Sequence, residues 1–184
     1  EYQVAAHLIY EGFVDEGLAI VKGVRERYDG ERRNPYDECE CGHHYARALS
    51  NWSLLLALSG FHYSAPEQRM GFAPRLQPQN FRCFWSTGSG WGIFEQQAGE
   101  GKQMATIRVL YGSLDLEVLE VKWAASPQVP KKLSCHAKLC QRKVTSEVKV
   151  KERTIEVHFP SIVRMEFGEE LRVVISSSIE RSPV

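Results

Sequence analysis

The sequence lacks an excess of charge of either sign, and it lacks a long apolar run. Its 23 basic residues balance its 23 acidic residues, so it shows no electrostatic signal for binding nucleic acid or an anionic membrane. The longest apolar run, residues 54–58, is far shorter than the roughly 20 residues that cross a bilayer. We therefore expect neither a nucleic acid partner nor a membrane-spanning segment.

Cysteines are also few. Five cysteines, an odd number scattered through 184 residues, do not form the dense framework of a small secreted domain. We interpret them as reduced thiols and expect a cytoplasmic protein. The chain opens at Glu1, already within a helical pattern, so we expect that further N-terminal sequence of the same polypeptide precedes it.

The first 60 residues carry apolar side chains at three- and four-residue steps, which predicts helices with one buried stripe. We predict helices over residues 2–10 and 15–28 and a tight turn between them. A third helix is predicted over residues 44–60, where Gly60 ends it. Because its apolar residues surround the axis, we expect neighbours on nearly all sides, including chain outside this sequence, and a core position for Trp52.

From residue 80 onward the period of the apolar residues changes to two, which predicts strands. We predict hairpins that turn at residues 87–90, at residues 111–113 and near residues 151–152, followed by a last strand in EELRVVIS. Residues 61–80 are rich in proline and read as a loop, and residues 124–132 read as a linker. The predicted fold class is α+β, with helices followed by an antiparallel β-rich segment.

Chemically versatile side chains crowd the stretch NPYDECECGHHYARALSNW, residues 34–52. One interpretation is a zinc site, with a second cysteine and histidine group further along the chain. Structural zinc usually takes four ligands from C-x₂₋₄-C pairs, and the C-x-C spacing here differs from that pattern. The alternative is that the cysteines are buried or partly exposed free thiols. The candidate ligands are Cys39, Cys41, His43 and His44 in the first group, and Cys135, His136 and Cys140 in the second.

Two catalytic interpretations use the same stretch. Cys41 precedes the predicted helix and could act as a nucleophile with a nearby histidine as base, although no orienting acid is evident. Glu38 and Glu40 would point the same way in an extended loop, about 6.5 Å apart. Paired carboxylates at about 5 to 5.5 Å cleave glycosidic bonds with retention. The alternative is that these are solvated loop acids.

A fourth interpretation is recognition of hydroxyl groups by Glu38 and Arg47, nine residues apart. A carboxylate that accepts two hydrogen bonds beside a guanidinium that donates two holds a diol in one orientation. Arg47 would project from the first turns of the third helix while Glu38 lies over its amino end. The alternative is an ion pair that ties the loop to the helix.

Residues 1–66, which include the unusual string ECGHHYAR, resemble the C-terminal part of the catalytic domain in the bile-acid β-glucosidase family. This family comprises the non-lysosomal glucosylceramidases and their bacterial relatives. The remainder is similar to the sequence that follows this region in the bacterial members. The resemblance implies that residues 1–66 are the last helices of an (α/α)₆ toroid and that residues 67–184 form a separate β-rich region.

The resemblance also implies a function. Members of the family hydrolyse β-glucosides with retention, using a glutamate nucleophile and an aspartate acid/base that both belong to sequence upstream of Glu1. Glu38 and Arg47 match the family's glucose-binding acid and arginine, with the same offset. The chain is thus expected to have no catalytic residue, metal or cofactor of its own and to be inactive alone. Its expected partners are the missing N-terminal part and, in the full-length protein, a β-glucoside. The alternative function is a non-catalytic carbohydrate-binding or assembly module.

Overall fold

The computed structural model describes residues 1–34 and 47–177, with the backbone alone for residues 47 and 48. The chain divides into two compact units, Glu1–Gly60 and Phe61–Val184. We call these the helical unit and the β unit and describe each by itself. The domain boundary predicted at residue 66 falls six residues beyond this division and stays a prediction.

Two helices open the helical unit, as the apolar spacing predicts. They are α1 (Tyr2–Glu11) and α2 (Val14–Arg27), and Gly12 ends α1 in the left-handed conformation. A short 3₁₀ helix (Arg47–Asn51) then leads into α3 (Trp52–Ser59), which Gly60 ends in the same conformation. The prediction of the first two helices is confirmed, and so is the end of the third.

The core of the helical unit is small. Within the described residues its buried cluster has three residues from α1 and two from α3: Ala5, Ala6, Ile9, Leu54 and Ala57. Four partly buried residues pack against this cluster: Tyr2, Ile20, Val21 and Leu58. Leu49, Trp52, Leu55 and Leu56 leave much of their side chains exposed. The predicted core position of Trp52 is therefore wrong, because α3 buries one stripe and the apolar residues outside that stripe face solvent. Among the described residues, no helix combines the length and the apolar character that crossing a membrane requires.

The β unit contains ten strands within the described residues. Their bounds are β1 (His62–Ser64), β2 (Arg69–Phe72), β3 (Asn80–Ser86), β4 (Gly90–Gly99), β5 (Lys102–Lys122), β6 (Leu133–Leu139), β7 (Arg142–Val144), β8 (Glu147–Lys151), β9 (Thr154–Glu166) and β10 (Glu170–Ser177).

Strand β5 belongs to both halves of the β unit. Its first half pairs with β4 and β10, and its second half pairs with β2 and β9. One sheet therefore runs β3-β4-β5-β10-β6-β7 and the other runs β1-β2-β5-β9-β8. Buried side chains from both sheets, among them Trp85, Phe94, Leu119 and Val157, form one core cluster. The β unit is thus a sandwich whose two sheets share one long strand.

The hairpins predicted at residues 87–90 and 151–152 are confirmed, since β3 pairs with β4 and β8 pairs with β9. The hairpin predicted at residues 111–113 is wrong. Gly112 has a φ of 70° and bends β5 from one sheet into the other without reversing the chain. A glycine marks a bend in a strand as readily as a turn between strands, so the local pattern did not separate the two cases.

The predicted fold class, with residues 1–66 as the end of an (α/α)₆ toroid, is wrong. Strands make up 50% of the structure and helices 21%, and the described helices are short. Residues 61–80, predicted as a loop, contain β1 and β2. Because β2 pairs with β5 in parallel, the β-rich segment is also mixed and not purely antiparallel. The chain is a β-rich protein with a small helical unit.

Candidate functional site

The sugar-binding pair predicted from the sequence lies outside the described side chains. Glu38 is outside the described residues, together with the cysteines and histidines of the same stretch. Only the backbone of Arg47 is described, and it begins the 3₁₀ helix that leads into α3. Contact between Glu38 and Arg47 stays a prediction.

The second cysteine and histidine group takes ordinary strand positions. Cys135 and His136 are consecutive on β6, so their side chains point to opposite faces, and Cys140 follows the strand. Burial raises the pKa of the Cys135 thiol, and Ser146 donates a hydrogen bond of 3.5 Å to its sulfur. Across residues 1–34 and 47–177, no cluster of histidine, cysteine and acidic side chains is arranged to hold a metal ion.

Three aromatic rings form a row on the outer face of one sheet. Phe84 on β3, Trp91 on β4 and Tyr111 on β5 are 55%, 40% and 65% exposed. The ring centroids of Phe84 and Trp91 are 5.8 Å apart at an interplanar angle of 41°. Those of Trp91 and Tyr111 are 6.1 Å apart at 17°. We call these three residues the aromatic platform.

Strand alternation explains why the platform faces outward. Trp85, the neighbour of Phe84 on β3, is 1% exposed within the core, so Phe84 must point to the opposite face. Cross-strand pairing places Trp91 opposite Tyr111 and Gly92 opposite Val109, so this register shift leaves Leu110 as an extra residue on β5. The bulge turns Tyr111 outward although Val109, two residues earlier, is buried. A Cβ atom at Gly92 would lie 1.8 Å from the carbonyl oxygen of Arg108, so only glycine allows β4 to approach β5 this closely.

Aromatic side chains of this size usually contribute to a core. A single exposed apolar residue needs no explanation, but a contiguous exposed patch marks a surface for an interaction. Three rings on three adjacent strands, with Trp91 next to both Phe84 and Tyr111, make such a patch. The strands that carry the rings are fixed by the sandwich core, because residues near the rings on these strands point to the inner face of the sheet and are buried there.

Charged side chains beside the platform are paired with each other. The guanidinium of Arg82 lies 3.2 Å from the carboxylate of Glu95. Arg108 donates to one oxygen of Glu170 at 2.7 Å, and Arg172 donates to the other at 2.8 Å. The hydrogen bond from Arg108 lowers the pKa of Glu170 and raises the pKa of Arg108 itself. The strip next to the rings therefore offers donors and acceptors whose charges are largely compensated.

A second polar cluster lies on the outer face of the other sheet. Glu156 on β9 is 3% exposed, and its oxygens lie 2.6 Å from the Lys151 ammonium and 2.8 Å from the His158 ring. Arg69 on β2 lies 3.6 Å from Glu156 and also forms an ion pair with Glu120 on β5. The second oxygen of Glu120 lies 2.7 Å from the His62 ring.

This cluster links all five strands of its sheet. Each of its four carboxylate oxygens already has a partner within the protein: Lys151 and His158 for Glu156, and Arg69 and His62 for Glu120. A satisfied network of this kind rigidifies a sheet and leaves little capacity for a ligand. We assign it a structural role, and the aromatic platform remains the stronger candidate site.

Sequence reasoning missed the platform. Phe84 and Trp91 flank the confirmed turn of the β3-β4 hairpin, so their shared face could have been read from the alternation around that turn. Tyr111 could not have been added, because the predicted hairpin at residues 111–113 removed it from the strand that pairs with Trp91. The sequence pattern that indicates such a platform is a set of aromatic residues at outward-facing positions of neighbouring strands.

Comparisons with known proteins do not identify a family for this chain. No protein-family model and no curated protein matches the chain. Among solved structures, an α-L-rhamnosidase from Dictyoglumus thermophilum is a distant structural neighbour and is a glycoside hydrolase. The match has 13% sequence identity and a TM-score of 0.38, and it covers 71% of this chain but only 13% of that one. Similarity at this level carries no argument about function.

Proposed function

We propose that this chain is a carbohydrate-binding part of a glycoside hydrolase and that the aromatic platform holds the sugar. The observation that carries this proposal is the exposed row of Phe84, Trp91 and Tyr111 on the outer face of the sandwich. A carbohydrate-binding module is the alternative function inferred from the sequence, and the aromatic platform is a candidate binding surface for such a module.

A pyranose matches this surface chemically. Its ring has an apolar face of C–H groups that packs on an aromatic ring, and its edge carries hydroxyls that both donate and accept hydrogen bonds. The platform supplies the rings. Arg108, on β5 beside it, uses two of its three guanidinium nitrogens to hold Glu170, and a guanidinium has five N–H donors, so it can also donate to the hydroxyl edge.

The alternative role as an assembly module would use the same rings as a protein interface. Protein interfaces of standard size bury about 800 Å² on each partner. Each side of such an interface uses about 20 to 30 residues, whereas the platform consists of three. The platform therefore fits a ligand that lies along three rings better than a second protein surface.

The resemblance of residues 1–66 supports a more specific proposal. According to this more specific proposal, the chain is the C-terminal portion of a retaining enzyme similar to the β-glucosidases and glucosylceramidases. Glu38 and Arg47 bind the hydroxyls of the glucose unit, and the nucleophile and acid/base belong to upstream sequence. The chain alone then hydrolyses no aryl β-glucoside, and measurable turnover by the purified 184-residue protein would contradict this assignment.

Isothermal titration calorimetry of the full chain with soluble β-glucan oligosaccharides tests the binding function. We expect saturable binding that weakens about tenfold in Trp91→Ala, because the central ring contacts both of its neighbours. Trp91→Phe should retain most of the affinity because it keeps a flat ring. Trp91→Leu should not, although it keeps an apolar side chain.

Ile162→Ala is the matched control, since Ile162 is an exposed apolar residue on β9 of the other sheet. Its binding should equal that of the unmodified chain. If Trp91→Ala unfolds the protein, Tyr111→Ala provides the same test at a more exposed position. Equal affinity of the unmodified chain, Trp91→Leu and Tyr111→Ala would overturn the proposed function, as would the absence of binding to any saccharide.

A further inference from the structure

The platform is longer than one sugar. Its three rings lie on three adjacent strands, with centroid steps of 5.8 and 6.1 Å. Each step is comparable with the width of a pyranose ring, so a single sugar covers about one aromatic ring and leaves the others exposed. A ligand that covers the whole platform needs two or more linked pyranose units.

The shape of the row also suits a chain of sugars. Trp91 and Tyr111 are nearly parallel at 17°, and Phe84 is tilted by 41° from Trp91. The three rings therefore do not share one orientation along the row. Linked sugars can follow it because each glycosidic bond allows rotation between neighbouring rings, whereas a rigid flat molecule of the same length could not contact all three rings at once.

The charges near the platform favour a neutral ligand. Arg82, Arg108 and Arg172 each have a carboxylate partner within 3.2 Å, supplied by Glu95 or Glu170. Nucleic acids and acidic glycans need cations that are free to neutralise their charges. Here three guanidinium groups share the two carboxylates of Glu95 and Glu170, which compensate two of the three positive charges, and a polyanion would also meet these two carboxylates.

We infer that the ligand of the platform is a neutral oligosaccharide of at least two pyranose units, laid across β3, β4 and β5 with one ring on each aromatic side chain that it reaches. This inference rests on the proposed carbohydrate-binding function and specifies the class of ligand. It also assigns the two ends of the row distinct roles, because Phe84 and Tyr111 contact only the outer units of the bound chain.

Calorimetric titration with glucose, cellobiose and cellotriose measures the dependence on chain length. Each added ring should increase the affinity about two- to tenfold, as expected for one further stacking contact. Beyond three units the affinity should level off. Phe84→Ala and Tyr111→Ala should each weaken cellotriose binding by a larger factor than they weaken glucose binding, because a single sugar can still contact a ring that remains. Glucose bound as tightly as cellotriose would overturn the inference.

Trigalacturonate, an acidic trisaccharide, tests the charge preference. We expect it to bind more weakly than cellotriose, and we expect the affinity for cellotriose to be the same at 50 mM and 500 mM sodium chloride. The neutral assignment would be overturned if trigalacturonate bound more tightly than cellotriose and if salt weakened its binding.

Two results would overturn this inference and still leave saccharide binding in place: glucose that binds as tightly as cellotriose, and trigalacturonate that binds more tightly than cellotriose. Failure of the proposed function gives a different result, because then no saccharide binds or Trp91→Leu does not change the affinity. Self-association of the chain that Trp91→Leu abolishes, seen by sedimentation without saccharide binding, would replace both proposals with a protein interface.

Discussion

Glu156 is the residue on which the polar cluster of the second sheet depends. Its carboxylate is almost fully buried and is held by Lys151 and His158, with Arg69 at 3.6 Å. The hydrogen bond from Lys151 is the main cause that lowers the pKa of Glu156 to about 2, from an ordinary value of 4.5. Burial opposes this shift, and the nearby cations outweigh it.

Replacing Glu156 with glutamine should lower the free energy of unfolding by about 2 to 3 kcal/mol at pH 7. The substitution removes the anion that Lys151, His158 and Arg69 share. The expected loss is smaller than the loss for a fully buried ion pair, because the side chain of Lys151 is exposed to solvent. Urea denaturation measures the change. Glu147→Gln, at an exposed position on neighbouring β8, is the control and should change stability by less than about 0.5 kcal/mol.

The pH dependence of stability follows from the same carboxylate. A group whose pKa is lower in the folded state contributes stability that is fully present above its ordinary pKa and is lost as the pH falls. The contribution of Glu156 should therefore be complete near pH 7 and decline between about pH 4.5 and pH 2. Over this window the stability gap between the unmodified chain and Glu156→Gln should narrow. A constant gap would show that Glu156 is not ionised in the folded protein.

Glu38 and Arg47 make a separate prediction at the residue scale. In an intact enzyme of the proposed type, Glu38→Gln or Arg47→Ala should weaken substrate capture by about 2 to 5 kcal/mol, since each change leaves one partner of a desolvated charge pair alone. The ratio kcat/KM for a β-glucoside reports the loss. Unchanged kinetics in both variants would remove the pair from the site.

Strand β5 is the element that organises the β unit. It runs through both sheets, pairs with four other strands and carries Tyr111 immediately before its bend. The bend depends on Gly112, where a Cβ atom would lie 2.1 Å from the carbonyl oxygen of Ser89. The backbone conformation at Gly112 also lies in the region that side chains with a Cβ rarely adopt.

Gly112→Val should therefore destabilise the protein by more than about 2 kcal/mol, through backbone strain and through the clash with the loop before β4. Thermal and urea denaturation both detect a change of this size. Gly99→Ala is the matched control, because a Cβ atom at Gly99 meets no other atom within 4 Å. Two variants of equal stability would mean that the bend tolerates a side chain and that Gly112 does not define the path of β5.

Two separate cores define the protein at the scale of the whole molecule. Among the described residues, the core cluster of the β unit lies from residue 61 onward, whereas that of the helical unit contains five small or medium-sized residues. Compact units with their own cores can fold alone, but very small ones rarely bury enough surface to do so. The difference between the two cores leads to different expectations for the isolated pieces.

The isolated β unit, residues 61–184, should fold with a cooperative thermal transition and should bind saccharides as the full chain does. The isolated helical unit, residues 1–60, should show little helix by circular dichroism, since its core is too small to offset the loss of chain entropy. A β unit that fails to unfold cooperatively would contradict the expectation that residues 61–184 fold alone.

Local patterns in the sequence were sufficient for the elements whose boundaries depend on near neighbours. The spacing of apolar residues located α1 and α2, and Gly60 marked the end of α3. Turn residues located the β3-β4 and β8-β9 hairpins. These features come from contacts a few residues apart, so the order of the amino acids determines them directly.

Tertiary structure alone decided the path of β5, its parallel pairing with β2 and the assembly of the aromatic platform. Phe84, Trp91 and Tyr111 become neighbours only when β5 continues through Gly112 and pairs with β4 in one register. A shift of one residue would turn one ring toward the opposite face, because side chains alternate along a strand. Local sequence determined the strands that carry the rings, and only the pairing of those strands brought the rings into one surface.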